Sequence, residues 1–179
     1  MITLKNDTIL LRAPEPEDLD FLYEWENDQR LWEAGNTQTP LSRFVLREYI
    51  KQAQQDIYQT RQLRLMITLV GHPQIPVGAV DLFEFDPYHL RAGVGILLKP
   101  EFHGKGLAKQ SLALLEEFAA FHLGLHQLYA NVTEKNAESR RLFESAGFES
   151  CAVKKHWTRI GMTWHNEIMY QKILFKIDI

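Results

Sequence analysis

The stretch Pro100-Glu101-Phe102-His103-Gly104-Lys105-Gly106-Leu107-Ala108 lies between a short apolar run at residues 94–98 and a long amphipathic segment that begins near residue 105. This order predicts a strand, a tight glycine loop and a helix. Gly104 and Gly106 can adopt backbone conformations that turn N–H groups toward one point. Because the positive end of the helix dipole faces the same point, we expect the loop to bind an anion such as a phosphate or pyrophosphate.

The loop does not match two common phosphate-binding signatures. A P-loop requires Gly-x-x-x-x-Gly-Lys followed by Ser or Thr, and the chain contains no such run. A dinucleotide fingerprint requires three glycines that open a helix, whereas Gly93 and Gly95 lie within the strand-like run. The glycine loop by itself also fits a plain strand–helix connection that binds nothing.

A second block follows in the stretch Asn136-Ala137-Glu138-Ser139-Arg140-Arg141-Leu142-Phe143-Glu144-Ser145-Ala146-Gly147-Phe148. Residues 128–132 before it have the pattern of a strand. Asn136 is a favourable N-cap for a short helix over residues 137–146, and Gly147 suits the position just after its end. The block therefore predicts a second strand, helix and strand, with Phe148 beginning the last strand.

Together, the two blocks resemble the GNAT superfamily of acyl-CoA-dependent N-acetyltransferases. His103 to Ala108 is similar to that family's Gln/Arg-x-x-Gly-x-Gly/Ala pyrophosphate loop. Asn136 to Phe148 is similar to its Asn-x-x-(Ala/Ser)-x-x-x-(Tyr/Phe)-x-x-x-Gly-Phe segment. Within the superfamily, the chain looks most like the ribosomal-protein and spermidine N-acetyltransferase branches. The resemblance implies an α/β (α+β) fold in which helices flank a mixed, mostly antiparallel central sheet.

The pattern of the remaining chain fits this fold class. Strands are predicted at residues 8–13, 63–70, 77–85, 89–98, 128–132, 149–158 and 163–173. Further helices are predicted from residue 16 through Trp25, from 43 to about 58 with Ser42 as the cap, and over 105–122. Residues 71–73 are predicted to form a turn, and strands 77–85 and 91–98 to form an antiparallel pair. In the helix over 105–122 the apolar stripe predicts a core-facing side that includes Ser111, Leu115 and His122.

Length and composition narrow the class of protein. A chain of 179 residues with 45% hydrophobic residues is expected to form one domain, 1–179, with a substantial core. A net charge of −3 gives no support for nucleic-acid binding. We expect a cytoplasmic protein with no membrane partner, because no apolar run has the length of a membrane span and residues 1–11 lack a signal-peptide pattern. Cys151 is the only cysteine, so an internal disulfide is excluded.

The resemblance implies that acetyl-CoA is the cosubstrate and assigns residues to it. Backbone amides of the glycine loop would bind the pyrophosphate, Lys105, Lys109 and Arg140 would face its remaining phosphate charge, and a bulge in the preceding strand would expose backbone groups to the pantetheine arm. The predicted cofactor-binding residues are Ile96, Leu97, Leu98, His103, Gly104, Lys105, Gly106, Leu107, Ala108, Asn131, Asn136 and Arg140. No metal is expected, since the His122/His126 pair has no identifiable third ligand.

The catalytic residues are less well marked by the sequence. An alkyl amine is protonated at neutral pH, so a base must take its proton. Glu84 is the predicted base, with Tyr88 and His89 as alternatives, and strand alternation places Asp81 on the face opposite to Glu84. Many family members carry Glu where this chain has Gly93, and Tyr, as the acid for the leaving thiolate, where it has Phe143.

The Phe143 position leaves several mechanisms open. Ser139 or a water could supply the proton, the thiolate could leave unassisted, or the chemistry could be weak or absent. The predicted function is direct acetyl transfer from acetyl-CoA to a primary amine of a protein N-terminus, a polyamine or another small amine. The alternatives are an inactive CoA-binding sensor or interaction module and a purely structural domain. A homodimer is left open by the sequence.

Overall fold

A computed structural model describes residues 4–35, 39–53 and 55–175, and within these ranges the chain forms seven strands and six α-helices. The strands are β1 (Ile9–Arg12), β2 (Leu63–Leu69), β3 (His72–Asp86), β4 (Arg91–Leu98), β5 (Gln127–Thr133), β6 (Glu149–Ile160) and β7 (Thr163–Ile173). The helices are α1 (Leu19–Glu26), α2 (Gln29–Gly35), α3 (Arg43–Gln52), α4 (Ile57–Thr60), α5 (Leu107–Phe121) and α6 (Ala137–Ser145). Single 3₁₀ turns at Pro16–Asp18 and Pro100–Phe102 lead into α1 and toward α5.

The strands form one sheet in the order β1-β2-β3-β4-β5-β7-β6. All neighbouring strands are antiparallel except β4 and β5, which run parallel. The parallel pairing extends only from Arg91 opposite Gln127 to Gly93 opposite Tyr129. Beyond Gly93 and Tyr129 the two strands diverge, and a V-shaped gap opens in the middle of the sheet. The predicted mixed, mostly antiparallel fold is confirmed.

The two faces of the sheet carry different apolar clusters. Leu65 and Ile67 of β2 belong to the larger cluster, which packs against α5 and α6, whereas Met66 between them packs with Leu22 and Ile50 of α1 and α3. This alternation is what a strand covered on both faces produces. We name the two sides the α5–α6 face and the α1–α3 face.

Helix α5 buries the predicted stripe over most of its length. Ser111, Leu112, Leu115 and Ala119 are fully buried against the α5–α6 face, whereas His122 is exposed just after the last turn of the helix. Complete burial of a leucine side chain stabilises the fold by roughly 1.5–3 kcal/mol, so this stripe is a main contributor to docking of the helix on the sheet.

The helix predicted over residues 43–58 is shorter than expected. Ser42 caps α3 by accepting a hydrogen bond from the Val45 amide, as predicted, but the helix ends at Gln52. Asp56 then starts α4 by accepting from the Tyr58 amide at 2.7 Å. A side-chain acceptor of this kind competes with the helical backbone and favours a new N-terminus. The hydrophobic periodicity continues across this break, so periodicity alone predicted one longer helix.

Two further predictions about local structure are wrong. The turn predicted at residues 71–73 lies at residues 70–71 instead, because β3 already begins at His72, opposite Leu69 of β2. The bulge that the resemblance placed in β4 lies in β3 instead: β4 stays in continuous register with β3 from Gly93 to Leu98, and the register shifts between Phe83 and Asp86. The extra residue in β3 interrupts strand alternation at Glu84, so the two-residue period does not fix the direction of its side chain.

The close approach of β3 and β4 can be tested at Gly78. A Cβ atom at Gly78 would lie 2.5 Å from the Leu97 carbonyl oxygen and 2.5 Å from a methyl group of Leu98. We expect Gly78→Ala to lower the free energy of unfolding by about 1–3 kcal/mol, because the backbone of β4 cannot withdraw without disturbing the ladder. Gly71→Ala is the matched control, since nothing lies within 4 Å of its Cβ position. Urea denaturation of both variants checks this, and equal midpoints would contradict the packing argument.

Candidate active site

A cleft of about 750 Å³ occupies the gap between the diverging ends of β4 and β5. Most of the residues predicted to hold a cofactor line it: Ile96, Leu97, Leu98, His103, Gly104, Gly106, Leu107, Ala108, Asn131 and Asn136. Arg30 and Leu31 of α2 form part of the wall on the α1–α3 face. The cleft therefore joins the two sequence blocks into one site, with the glycine loop at its mouth.

The glycine loop has the backbone conformation expected of an anion cradle. Gly104 and Gly106 adopt φ angles of 71° and 74°, in the left-handed region that favours glycine. Gly106 is the N-cap of α5, and no side chain caps this end of the helix. The N–H groups of the first helical turn therefore have no side-chain acceptor, and their partial positive charge suits a phosphate group.

His103 ties the loop to the rest of the cleft. Its Nε2–H donates to the Leu98 carbonyl at 3.0 Å, and its Nδ1 lies 3.2 Å from the Glu138 carboxylate of α6. Lys105 turns its ammonium over the Phe102 ring, 5.0 Å from the ring centre, and its side chain is not part of the cleft wall. In this arrangement the backbone of Lys105, rather than its charge, belongs to the loop.

The prediction for Arg140 is not met by the geometry. Its Nε donates to the Tyr170 hydroxyl at 3.3 Å and its second nitrogen to the Glu134 carbonyl at 3.4 Å, away from the cleft wall. The neighbouring Arg141 lines the cleft instead, together with Lys109. Adjacent arginines on a helix point about 100° apart, and only the packing of α6 against the sheet shows which of them faces the cleft.

The backbone of β4 presents hydrogen-bonding groups to the cleft without a bulge. The Lys99 amide donates to the Val77 carbonyl at 2.9 Å across β3 and β4. Since bonded and non-bonded residues alternate in an antiparallel ladder, the peptide groups of Ile96 and Leu98 point away from β3 and into the gap. The Leu98 carbonyl accepts from His103, and Ile96 offers one donor and one acceptor to a bound molecule.

Phe83 explains why the chain has glycine at position 93. A Cβ atom on Gly93 would overlap the Phe83 ring, which lies across the glycine on the α1–α3 face. The Phe83 ring also meets Tyr129 edge to face, with centroids 5.9 Å apart. Two aromatic rings thus cover the vertex of the V, where many family members carry a glutamate.

Glu84 reaches this vertex because of the bulge in β3. Its φ angle of 49° is strained for a residue with a side chain, and its exposed carboxylate accepts a hydrogen bond from the Tyr129 hydroxyl. Burial, together with the hydrogen bond to Glu84, raises the pKa of Tyr129, so the phenol stays protonated. Glu84 is not part of the cleft wall but lies just beyond its closed end. The sequence did not indicate Tyr129 as its partner.

Asp81 is held in an ion-pair cluster and is not available as a base. The Arg64 guanidinium binds both Asp81 carboxylate oxygens, at 2.7 and 3.0 Å, and also Glu26 at 2.7 Å. Burial alone would lower the pKa of Arg64, but the attraction of the two carboxylates raises it, so the arginine stays charged. Pattern reasoning missed this cluster because its three members lie far apart in the chain.

The other acid and base candidates differ in position. Tyr88 and His89 are exposed, and their backbone amides donate to the Asp86 carboxylate in the turn after β3. Phe143 is buried and lines the cleft with a hydrocarbon ring stacked on Tyr170. Ser139 also lines the cleft. Helix α6 thus places two serines on the cleft wall, Ser139 and Ser145, but neither is at the position of the family's tyrosine.

Metal and membrane sites have no support in the described part of the chain. Among those residues, no three His, Cys, Asp or Glu side chains come close enough together to hold a metal ion. His122 stacks on the Phe118 ring instead, with ring centres 4.8 Å apart. No helix in the described ranges is long and apolar enough to cross a membrane.

Solved structures of similar fold include acetyltransferases. Spermidine N-acetyltransferase from Vibrio cholerae in complex with CoA and spermine matches with a TM-score of 0.84 and 22% identity, covering 94% of this chain and 97% of that chain. A dodecameric structure of spermidine N-acetyltransferase from the same organism matches with a TM-score of 0.78 and 24% identity, covering 94% and 95% of the two chains. At these identities the likeness establishes the fold alone.

Sequence relatives extend the comparison. The chain is 28% identical to spermidine N(1)-acetyltransferase of Escherichia coli K12 over 164 residues, which cover 90% of this chain and 83% of the relative. It is 26% identical to spermidine N(1)-acetyltransferase of Vibrio cholerae over 143 residues, 80% of each chain. These relatives confirm the predicted resemblance to the spermidine branch, and neither of them belongs to the ribosomal-protein branch.

The family match covers most of the chain. The family described as "Acetyltransferase (GNAT) domain" matches residues 8–149, a range that includes the glycine loop and α6. The central sheet, the cleft between β4 and β5, and the two sequence blocks on its walls all agree with that match. The chain therefore belongs to the GNAT acetyltransferase family and is an N-acetyltransferase.

Proposed function

We propose that this N-acetyltransferase binds acetyl-CoA in the cleft between β4 and β5 and acetylates a primary amine of a small polyamine of the spermidine class. The observation that carries the proposal is the cleft itself, which combines an anion cradle at its mouth with free peptide groups of β4 along its wall. The polyamine rests on relatives at 26–28% identity whose names give spermidine as their substrate.

The cofactor residues divide by the part of acetyl-CoA that they would hold. The first-turn amides of α5 and the loop from His103 to Ala108 bind the pyrophosphate. Arg141 and Lys109 face its remaining negative charge from the cleft wall, in place of Arg140. Ile96 pairs with the pantetheine arm as an added strand would, and Asn131 and Asn136 bind it from the opposite wall. When bound, acetyl-CoA supplies the acetyl group as an activated thioester.

Glu84 acts as the base in this proposal. An alkyl amine has a pKa near 10, so its proton must be removed before the nitrogen can attack. Glu84 lies at the vertex with its carboxylate oriented by Tyr129, and it takes this proton directly or through one water. Asp81 is excluded from the role because Arg64 occupies both of its oxygens.

The departure of the thiolate does not require a tyrosine. A thiol has a pKa of about 8.5, so a thiolate is a far better leaving group at neutral pH than an alkoxide. Phe143 keeps the wall apolar at the position where the family's tyrosine would donate a proton. We therefore propose that the thiolate leaves unassisted or takes a proton from water or from Ser139, whose hydroxyl lies on the α6 side of the cleft wall.

The other acceptors and functions considered from the sequence have less support. A protein N-terminus as acceptor has no counterpart in the relatives named above. The alternative of an inactive CoA-binding sensor, which Phe143 and Gly93 motivated, likewise has no counterpart in the relatives named above. Release of CoA thiol from acetyl-CoA can be measured with spermidine, a monoamine and a peptide that has a free N-terminus. The amine that supports release identifies the class of acceptor, whereas a sensor would bind acetyl-CoA and release no thiol with any of them.

The cofactor site can be tested at Gly106. We expect Gly106→Trp to abolish saturable binding of acetyl-CoA in calorimetric titration, because the indole would fill the space that the loop amides surround. Gly124→Trp is the matched control: its φ angle of 66° resembles the 74° of Gly106, and nothing lies within 4 Å of either Cβ position. Both variants carry the same backbone strain, but only one changes the cleft.

The outcomes of this titration are distinct. Loss of binding in Gly106→Trp alone supports the loop as the cofactor site. Loss in both variants would show that strain at a left-handed position, and not the site, is responsible. Absence of binding by the folded wild-type protein would overturn the proposed function.

The role of Glu84 gives a kinetic prediction. Glu84→Gln should lower kcat for spermidine by about 10²–10⁴-fold at neutral pH, because an amide cannot accept the proton of the amine. The dissociation constant for acetyl-CoA should stay unchanged, since Glu84 lies outside the cleft wall. Glu117→Gln, an exposed substitution on α5, is the control for loss of a negative charge. Full activity of Glu84→Gln would exclude Glu84 as the base.

We also infer that the protein self-associates. Strand β6 forms one edge of the sheet, and the β6–β7 hairpin exposes 58% of Val153, 94% of Met162 and 54% of Trp164. Exposed edges of this kind favour pairing with another chain. A Vibrio cholerae spermidine N-acetyltransferase of the same fold has been solved as a dodecamer. Light scattering should give a mass at least twice that of the 20.9 kDa chain, and a monomer at micromolar concentration would contradict this inference.

A further inference from the structure

We propose that Lys154 of β6 is a positioning residue for the cofactor: its ammonium group fixes the Asn131 amide so that the NH₂ end donates a hydrogen bond into the cleft. The inference rests on the proposed function, because it assumes that acetyl-CoA occupies the cleft. It adds a residue from the far edge of the sheet, outside both sequence blocks, to the binding of the cofactor.

The contact between the two side chains determines the orientation of the amide. Lys154 Nζ lies 3.0 Å from Asn131 Oδ1. A lysine ammonium has three donors and no acceptor, so the atom that faces it must be the amide oxygen. The nitrogen of Asn131 therefore points away from Lys154. Without the lysine, an asparagine amide can rotate by half a turn and exchange its donor and acceptor ends.

The free end of the amide is available to a ligand. Asn131 lies between Ala130 and Val132, which point to the α5–α6 face, so its own side chain projects from the α1–α3 face. It also lines the cleft. Among the described residues, no backbone or side-chain group accepts a hydrogen bond from Asn131 Nδ2. An amide donor on the wall of a cleft for an amide-containing arm is suited to one of its carbonyl groups.

Several groups hold the ammonium in place. Glu167 of β7 accepts from Lys154 Nζ at 2.9 Å, so the lysine bridges β7 to reach Asn131 on β5. The Trp157 ring lies over the ammonium, 4.9 Å from the ring centre, in the geometry of a cation–π contact. With two acceptors and an aromatic face around it, the ammonium has a defined position although 30% of the side chain is exposed.

The bulge in β6 brings Trp157 to this position. The register between β6 and β7 shifts between Lys154 and Thr158, and His156 adopts a φ angle of 49° within the shift. The His156 amide donates to Asn166 Oδ1 at 3.0 Å, which holds the strained turn. Because the bulge interrupts strand alternation, Trp157 returns to the side of the sheet where Lys154 lies. The strained residue, His156, therefore lies directly before the tryptophan that contacts the Lys154 ammonium.

Calorimetric titration with acetyl-CoA tests the proposal. Lys154→Met should raise the dissociation constant about three- to tenfold, the range expected for loss of one oriented hydrogen bond. Lys154→Arg should restore binding, because the guanidinium donates to both acceptors. Lys155→Met, at the exposed neighbouring position, should bind as the wild type does.

Asn131→Asp provides a second and independent variant. Aspartate still accepts a hydrogen bond from Lys154, now as an ion pair, but has no donor for the cofactor, so it should weaken binding as much as Lys154→Met does. In an Asn131→Ala background, which has no amide to orient, Lys154→Met should cause no further loss of affinity, because both changes remove the same hydrogen bond. A purely structural role of Lys154 would instead give additive losses.

The outcomes that overturn the proposal are defined. Wild-type affinity in Lys154→Met or in Asn131→Asp overturns it, and so does a further loss from Lys154→Met in the Asn131→Ala background. Each of these results leaves the proposed function intact. Failure of the wild-type protein to bind acetyl-CoA overturns the proposed function and this inference with it. Thermal unfolding of each variant confirms that the compared proteins are folded.

Discussion

The site depends on the short pairing between β4 and β5. Only three residue pairs, from Arg91 with Gln127 to Gly93 with Tyr129, join the two parallel strands before they separate. If the ladder continued, the peptide groups of Ile96 would be satisfied by β5 and no cleft would exist. Because they separate, the sheet itself offers unpaired backbone groups and a wedge-shaped space, while its other strand pairs keep both walls fixed.

The ends of the cleft have different chemistry. At its mouth, Gly104 and Gly106 turn uncapped helix amides toward the space that an anion would occupy. At the vertex the groups present are side chains: the rings of Phe83 and Tyr129 and the carboxylate of Glu84. The mouth therefore suits an anionic group, and at the vertex an apolar wall and one carboxylate are close together.

Most charged side chains described on the α1–α3 face are bound to a partner, and this limits which of them can interact with a ligand. Arg64 neutralises Asp81 and Glu26, and Lys154 is held by Glu167 and Asn131. Among the acidic residues that the sequence marked on β3, Asp81 is bound through both oxygens to an arginine, whereas Glu84 has a neutral phenol as its partner.

The sequence by itself determined all seven strands and most of the helices in the described ranges, together with the two blocks on the cleft walls, because glycine conformations, helix caps and hydrophobic periodicity are local properties. It could not place Arg141 rather than Arg140 in the cleft, or move the bulge from β4 to β3, since both depend on how neighbouring elements pack. The pairing of Lys154 with Asn131 and of Arg64 with Asp81 joins residues 23 and 17 positions apart. Such contacts arise only when the strands are assembled side by side, so the charge and hydrogen-bonding state of the site was decided by the tertiary structure.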